Sequence, residues 1–292
     1  MQINIEVENI VSNVKEAENI CLDSGITVAV MVKDFYSKLR IQDRIENKIW
    51  SSKGVKNSYN YILFKNNIWR HKGGLVTTID EVQKLSKSCK RYKRKFQGFV
   101  PINMFDDREG LSMFNAIRLI RFAKYYENKY FTLKAVSFTN GCLKDDLFSV
   151  DTLLKSILKL RLIGVNYVSV GGSYYLGKLL NDKLKKAIDE VRIGEFVLYG
   201  TIPFHDKKDY KIGLNALDVD MEIIAIYEDR KQALLKGGSS DLDTDLSELV
   251  SKGFEFVSVS TEYTIVKYEN KPLLGDTVKF IPNYHSMIKL LR

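Results

Sequence analysis

Two short stretches carry residue types that could hold an anion. Gly171-Gly172-Ser173 closes the apolar run VSV (168–170), and Arg192-Ile193-Gly194-Glu195 follows about twenty residues later. Glycines let backbone approach a ligand closely, and a serine hydroxyl with neighbouring N–H groups suits phosphate oxygens. An arginine beside them could face whatever carries that phosphate. The alternative for Gly-Gly-Ser is a helix N-cap with room for close packing.

Three further residues stand where apolar runs end. Lys33 ends ITVAVMVK (26–33), Arg108 sits in FDDREG (105–110), and Asn140 sits in FTNGC (138–142). Each has a plainer explanation. A lysine after a strand is commonly solvated, Asp-Arg-Glu-Gly can pair its own charges, and Asn-Gly is a common turn dipeptide. Together, a strand-end lysine, two arginines and a glycine-serine cradle suit one small ligand with a phosphate, a ring nitrogen and an aldehyde.

These residues need a scaffold that brings strand ends together. Short apolar runs at 26–33, 60–64, 75–79, 97–105, 131–138, 165–170 and 196–200 read as strands. Amphipathic stretches such as DEVQKLSKSCKRY, LSMFNAIRLIRFAKYYENK and SVDTLLKSILKLRLIG separate several of them and read as helices. Alternation of this kind implies a parallel sheet with right-handed crossovers. The expected class is α/β: a (β/α)8 TIM-type barrel over residues 1–205, with a doubly wound open sheet as the alternative. Residues 206–292 change texture. MEIIAIYED, KQALLKGG, FEFVSVS, YTIVKYENK and DTVKFIP are short strand patterns between turns, and predict a small all-β domain.

Bulk properties narrow the function classes. The formal charge is +9, and the densest basic run is KSCKRYKRKF (87–96). A solvated helix end followed by a loop accounts for that run, so a nucleic-acid partner is not expected. No stretch approaches the roughly 20 apolar residues of a membrane span. MQINIEVENIVSN lacks the charged and apolar regions of a secretion signal. Cys21, Cys89 and Cys142 form neither a disulfide framework nor a metal spacing. DLDTDL (241–246) lacks the glycine and closing glutamate of a calcium loop. A reduced, cytoplasmic protein without a metal is the expectation.

The order of VAVMVK (28–33), DREG (107–110), TNGC (139–142), VSVGGS (168–173) and VRIGEFVLYG (191–200) resembles the fold-type III family of pyridoxal 5′-phosphate enzymes, the alanine-racemase-like barrels. Within that family it is most similar to the ornithine racemase branch of amino-acid racemases, and GDTVKFIPNY (275–284) resembles the branch's C-terminal region. The resemblance implies pyridoxal 5′-phosphate as cofactor, with Lys33 bonded to its aldehyde carbon. It implies that Gly171, Gly172, Ser173, Gly194 and Glu195 cradle the phosphate, that Arg192 faces the pyridine nitrogen, that Arg108 approaches the phenolic oxygen, and that Asn140 borders the pocket. An arginine does not give up its proton, so the ring nitrogen it faces stays unprotonated. That setting suits removal and return of a Cα proton. The implied activity is an amino-acid racemase or epimerase, with Lys33 serving one face of the substrate. The alternatives are a cofactor-binding protein with little catalysis, or a lyase or decarboxylase on the same scaffold. Ser260-Thr261-Glu262-Tyr263 stands where the branch carries Ser-Ser-Asp-His, so Tyr263 is the candidate for the other face. Tyr36 lies three residues after Lys33 rather than four as in the alanine racemase motif. The family also implies a homodimer in which each β-domain covers the partner's barrel mouth, with an amino acid as the small-molecule substrate.

Overall fold

The computed structural model describes residues 1–32, 43–51, 59–60, 71–104, 110–139, 150–179, 184–202, 210–242, 247–283, 286 and 290. The chain divides into two compact units, Val11–Gly213 and Met1–Ile10 with Leu214–Arg292. It opens with strand β1 (Gln2–Ile5) and helix α1 (Val7–Cys21).

Eight strands follow: β2 (Thr27–Val32), β3 (Lys48–Ser51), β4 (Tyr59–Asn60), β5 (Gly73–Leu75), β6 (Phe96–Ile102), β7 (Phe131–Thr139), β8 (Tyr167–Gly171) and β9 (Glu190–Ile193). Each pairs in parallel with the next, and β9 pairs with β2, so the sheet curls and closes. This order departs from an open doubly wound sheet. Helices α2 (Ile79–Tyr92), α3 (Met113–Ala123), α4 (Val150–Leu162), α5 (Tyr174–Leu179) and α6 (Glu195–Tyr199) each follow one of β5 to β9.

The barrel strands alternate between two chemistries. One face carries Val28, Val30, Val100, Ile102, Val136, Phe138, Val168, Val170, Val191 and Ile193, all buried. The helix α3 packs over β6 and β7. The other face points inward and is aromatic and small. Ala29, Trp50, Phe99 and Ala135 form its core, with Met31, Tyr59, Leu75 and Tyr167 packed against them. Trp50 meets the Phe99 ring edge-on with centroids 4.9 Å apart, and Phe99 meets Tyr167 at 5.9 Å. Edge contacts of this kind fill a barrel with few large rings. Gly73 makes room for one of them, since a Cβ there would lie 2.5 Å from Tyr59 Cε1.

Local signals set the helix ends. Thr78 caps α2 by accepting from the Glu81 N–H, and Glu81 accepts from the Thr78 N–H, a capping box. At the other end Lys93 takes a left-handed conformation (φ 52°) and turns the chain toward β6. The basic run 87–96 is this helix end and turn, with Lys87, Lys90, Arg91 and Lys93 at the surface.

Three expectations are corrected. FVLYG (196–200) is not a barrel strand: Glu195–Tyr199 is helical, and the last strand is Glu190–Ile193, so Arg192 lies within it rather than before it. Phe196, Val197, Leu198 and Tyr199 are all buried, and a short apolar run buried on every side carries no period to separate helix from strand. LVTTI is strand only as far as Leu75, because Thr78 is needed as the cap of α2. KIWS (48–51) is a barrel strand without having been expected as one.

The remaining strands are β10 (Thr201–Ile202), β11 (Tyr210–Lys211), β12 (Leu217–Tyr227), β13 (Gln232–Lys236), β14 (Glu248–Leu249), β15 (Phe254–Val259), β16 (Tyr263–Tyr268) and β17 (Thr277–Ile281). β10 and β11 form a two-stranded ribbon. The others form an antiparallel sheet in the order β14-β17-β12-β13-β16-β15, and β1 also pairs with β12. Its core is Val219, Met221, Ile223, Ala233, Leu235, Leu242, Val266, Tyr268, Val278 and Phe280. The first ten residues therefore group with this sheet rather than with the expected 1–205 barrel domain, and the second segment begins at 214 rather than 206. Asn4 fixes the pairing by donating to Asp218 and Asp220 at 2.8 and 2.7 Å. No helix among the described residues is long and apolar enough to cross a membrane.

Candidate functional site

Strand β9 turns Glu190 and Arg192 to the inside of the barrel, two residues apart and hence on one face. Glu190 is fully buried and Arg192 is 3 % exposed. The neighbours in register with Arg192 are Ala29 on β2 and Gly171 on β8. Both are small, and Gly171 has to be: a Cβ there would lie 2.5 Å from Arg192 Nη2.

The guanidinium is held on three sides. Nη1 donates to Ser169 Oγ at 2.5 Å, and Nη2 donates to the Phe138 carbonyl at 2.8 Å. Its Cζ stands 5.1 Å from the Trp50 ring centre, within reach of a cation–π attraction. Ser169 Oγ in turn donates to Glu190 Oε1 at 2.6 Å. Trp50 Nε1 donates to the same oxygen at 3.0 Å, and the Tyr167 hydroxyl donates to Oε2 at 3.0 Å. A buried cation and a buried carboxylate are thus joined through one serine and satisfied by hydrogen bonds, the condition under which such charges are tolerated.

Burial pulls the Arg192 guanidinium down to about 10, and Glu190, Tyr175 and Tyr167 oppose that shift. It remains charged at neutral pH. Burial, reinforced by Glu190, pushes the Tyr167 and Tyr59 hydroxyls up. Both tyrosines stay protonated, and Tyr167 acts as a donor toward Glu190.

The ends of β8 and β9 lie side by side. Gly172 takes φ 115°, a conformation that favours glycine. Its N–H donates to the Arg192 carbonyl at 2.9 Å. Gly172 therefore contributes room at the strand end rather than the free amide expected of it. Ser173 is fully buried and accepts from the Phe196 N–H at 2.9 Å. As an acceptor there, the hydroxyl has its own proton to donate. Gly194 is not crowded: among the described residues a Cβ there would meet only Met31 Cβ, in ordinary contact at 3.7 Å. Glu195 begins α6 directly after it.

Gly171, Gly172, Ser173, Arg192, Gly194 and Glu195 are thus brought together at one end of two adjacent strands. Lys33, Arg108 and Asn140 lie outside the described residues, as do Tyr36 and Cys142. Tyr263 belongs to the antiparallel unit, where it opens β16 with 40 % of its surface exposed. Its N–H donates to Ser260 Oγ at 3.1 Å, and the Ser260 N–H donates to its carbonyl at 2.8 Å. Gly238 packs against the backbone of 260–262 so closely that no side chain fits.

Four inward residues of the site were not anticipated: Glu190, Ser169, Trp50 and Tyr167. A signal for three of them was present. Tyr167, Ser169 and Gly171 share one face of β8 by the two-residue period, as Glu190 and Arg192 share one of β9. Among the described residues no group of three or more His, Cys, Asp or Glu side chains is placed to hold a metal ion. Cys21 and Cys89 are buried free thiols.

No protein-family model matches the sequence, and no curated protein matches it. Solved structures do match its fold. D-threonine aldolase from Filomicrobium marinum superposes with a TM-score of 0.71 at 15% identity, covering 99% of this chain and 89% of that one. Alanine racemase from Acinetobacter baumannii gives 0.71 at 15%, covering 97% and 90%. D-threo-3-hydroxyaspartate dehydratase from Delftia sp. HT23 gives 0.64 at 14%, covering 99% and 91%. Along nearly its whole length, the chain has the fold of the alanine-racemase-like, fold-type III enzymes.

Proposed function

We propose that the protein is a pyridoxal 5′-phosphate-dependent enzyme that acts at the α-carbon of an amino acid, as a racemase or epimerase. The observation that carries this reading is Arg192: a buried, fixed guanidinium at the strand ends, beside a glycine-rich turn with a buried serine. The residues fit the cofactor. Gly194 keeps backbone uncrowded among the described residues, Ser173 keeps a proton that could go to a phosphate oxygen, and Arg192 keeps the charge that would face a ring nitrogen.

In this reading the closed sheet is a (β/α)8 barrel, and Gly171, Gly172, Ser173, Gly194 and Glu195 surround the phosphate. Arg192 donates to the pyridine nitrogen and Arg108 to the phenolic oxygen. Asn140 borders the pocket, and Lys33 holds the aldehyde carbon. When bound, the cofactor draws electron density from the substrate and makes its Cα–H acidic. A guanidinium cannot protonate the ring nitrogen, so that withdrawal is mild and suits proton removal and return. Lys33 takes or returns the Cα proton on one face, and Tyr263 does so on the other. Tyr263 is contributed by the second subunit of a two-fold dimer, the commonest symmetry for such assemblies. In this reading the protein is cytoplasmic and acts on a small molecule rather than on nucleic acid or a membrane.

A second reading is a lyase on the same scaffold, favoured by the aldolase and the dehydratase among the structural matches. One experiment separates the two. The cofactor-loaded protein is incubated in D2O with single enantiomers of a panel of amino acids, β-hydroxy ones included, and products are resolved by chiral chromatography and mass. Deuterated product of both hands supports the racemase. Loss of a β-hydroxy amino acid to glycine and an aldehyde, or to a keto acid, supports the lyase. Neither outcome, with the cofactor bound, leaves a cofactor-binding protein.

A further inference from the structure

We infer that Glu190, acting through the Ser169 hydroxyl, is the positioning device that aims Arg192 at a heteroaromatic ring nitrogen at the barrel's strand ends. The inference rests on the cofactor reading above and goes one step inside it. Its basis is a hydrogen-bond chain whose direction is fixed. A serine hydroxyl has one proton. The guanidinium can only donate, so Ser169 must accept from Nη1. Its single proton then has to point elsewhere, and it points at Glu190 Oε1, 2.6 Å away. Glu190 is held still in turn by Trp50 on the same oxygen and by Tyr167 on the other. The carboxylate fixes the serine rotor, the rotor fixes Nη1, and the Phe138 carbonyl fixes Nη2.

All of these groups sit inside the barrel, and Glu190, Ser169 and Trp50 are fully buried. Removing Ser169 Oγ leaves the cation and the carboxylate in place without their bridge, so the guanidinium gains freedom to turn toward Glu190 itself. The loss is one of aim rather than of charge.

The test compares two ligands on one protein. Pyridoxal 5′-phosphate and its 1-deaza analogue share phosphate, aldehyde and hydroxyl, and differ only in a ring nitrogen replaced by C–H. Dissociation constants for both are measured by absorbance and fluorescence titration, on the wild-type chain and on Ser169→Ala and Glu190→Leu. The wild type is expected to prefer the nitrogen-bearing ligand by about tenfold or more, the worth of one charge-assisted hydrogen bond. Ser169→Ala is expected to bring that ratio to within about threefold, with the affinity for the deaza analogue nearly unchanged. A merely structural role would move both constants together and leave the ratio alone. Glu190→Leu should behave as Ser169→Ala does; if it does not fold, the milder serine variant decides. A wild-type ratio that survives in Ser169→Ala overturns the positioning role and leaves the cofactor reading standing. A wild type that binds neither ligand overturns the cofactor reading itself, and one that binds both equally shows that Arg192 does not face the nitrogen.

Discussion

Replacing Gly171 with alanine tests whether the guanidinium of Arg192 is held as described. The new methyl would lie 2.5 Å from Nη2, 3.2 Å from Cζ and 3.3 Å from Nε. Non-bonded heavy atoms settle near 3.5–4 Å, so the guanidinium has to retreat by about 1 Å. Nη2 then loses its 2.8 Å bond to the Phe138 carbonyl, because a donor that far away no longer bonds. The 2.5 Å bond to Ser169 is strained along with it. A hydrogen bond to a charged group is worth about 1.5–3 kcal/mol, so one lost bond costs about 2 kcal/mol and two about 4. For a unit of this size that is a fall in Tm of roughly 4–16 °C. Gly194→Ala is the matched control. Its methyl finds nothing described nearer than Met31 Cβ at 3.7 Å, and the expected cost is under about 1 kcal/mol. The assay is urea and thermal unfolding without ligand, followed by titration with pyridoxal 5′-phosphate. Gly171→Ala should lose stability before any ligand is added, whereas Gly194→Ala should lose chiefly affinity. A Gly171→Ala variant as stable as wild type would refute the packing argument.

Two further expectations follow from other parts of the molecule. Tyr263→Phe should bind cofactor as wild type does yet lose most racemisation, and mixing it with Lys33→Ala should return partial activity through heterodimers; heterodimers without activity would remove Tyr263 from the site. Cys21 and Cys89 are buried, with thiols pushed by burial from 9.0 up to about 11. Iodoacetamide at pH 8 should therefore label neither in the native protein and both in urea. Their raised folded values also set a sign: between pH 9 and about 11 the unfolded chain releases thiol protons that the folded chain keeps, so stability should fall across that window and hold below it. Labelling of either thiol in the native state contradicts the burial.

The sequence conveyed the strand ends better than it conveyed what lies beneath them. Gly-Gly-Ser and Arg-x-Gly were legible because glycine at a strand end has few other uses, and the structure sets both motifs on adjacent strands. Long amphipathic patterns gave α2, α3 and α4, where a 3.6-residue period runs for three turns or more. FVLYG misled because four consecutive buried residues have no polar face. KIWS and QINI were too short to announce themselves, although the first supplies Trp50 and the second joins the antiparallel sheet. Glu190 was the deepest omission. In DEVRIG it reads as one of two solvated acids before an arginine, and only the closed barrel shows that Glu190 turns inward while Asp189 stays partly exposed to pair with Arg161.

The proposed function stands or falls on whether a pyridoxal cofactor bonds to Lys33, which follows Val32 in the sequence. The chain is incubated with pyridoxal 5′-phosphate, reduced with borohydride, digested, and its peptides are mapped by mass. The expected result is a yellow protein before reduction and a single phosphopyridoxyl label, on Lys33. A label on a different lysine, or no stable label at all, would contradict it.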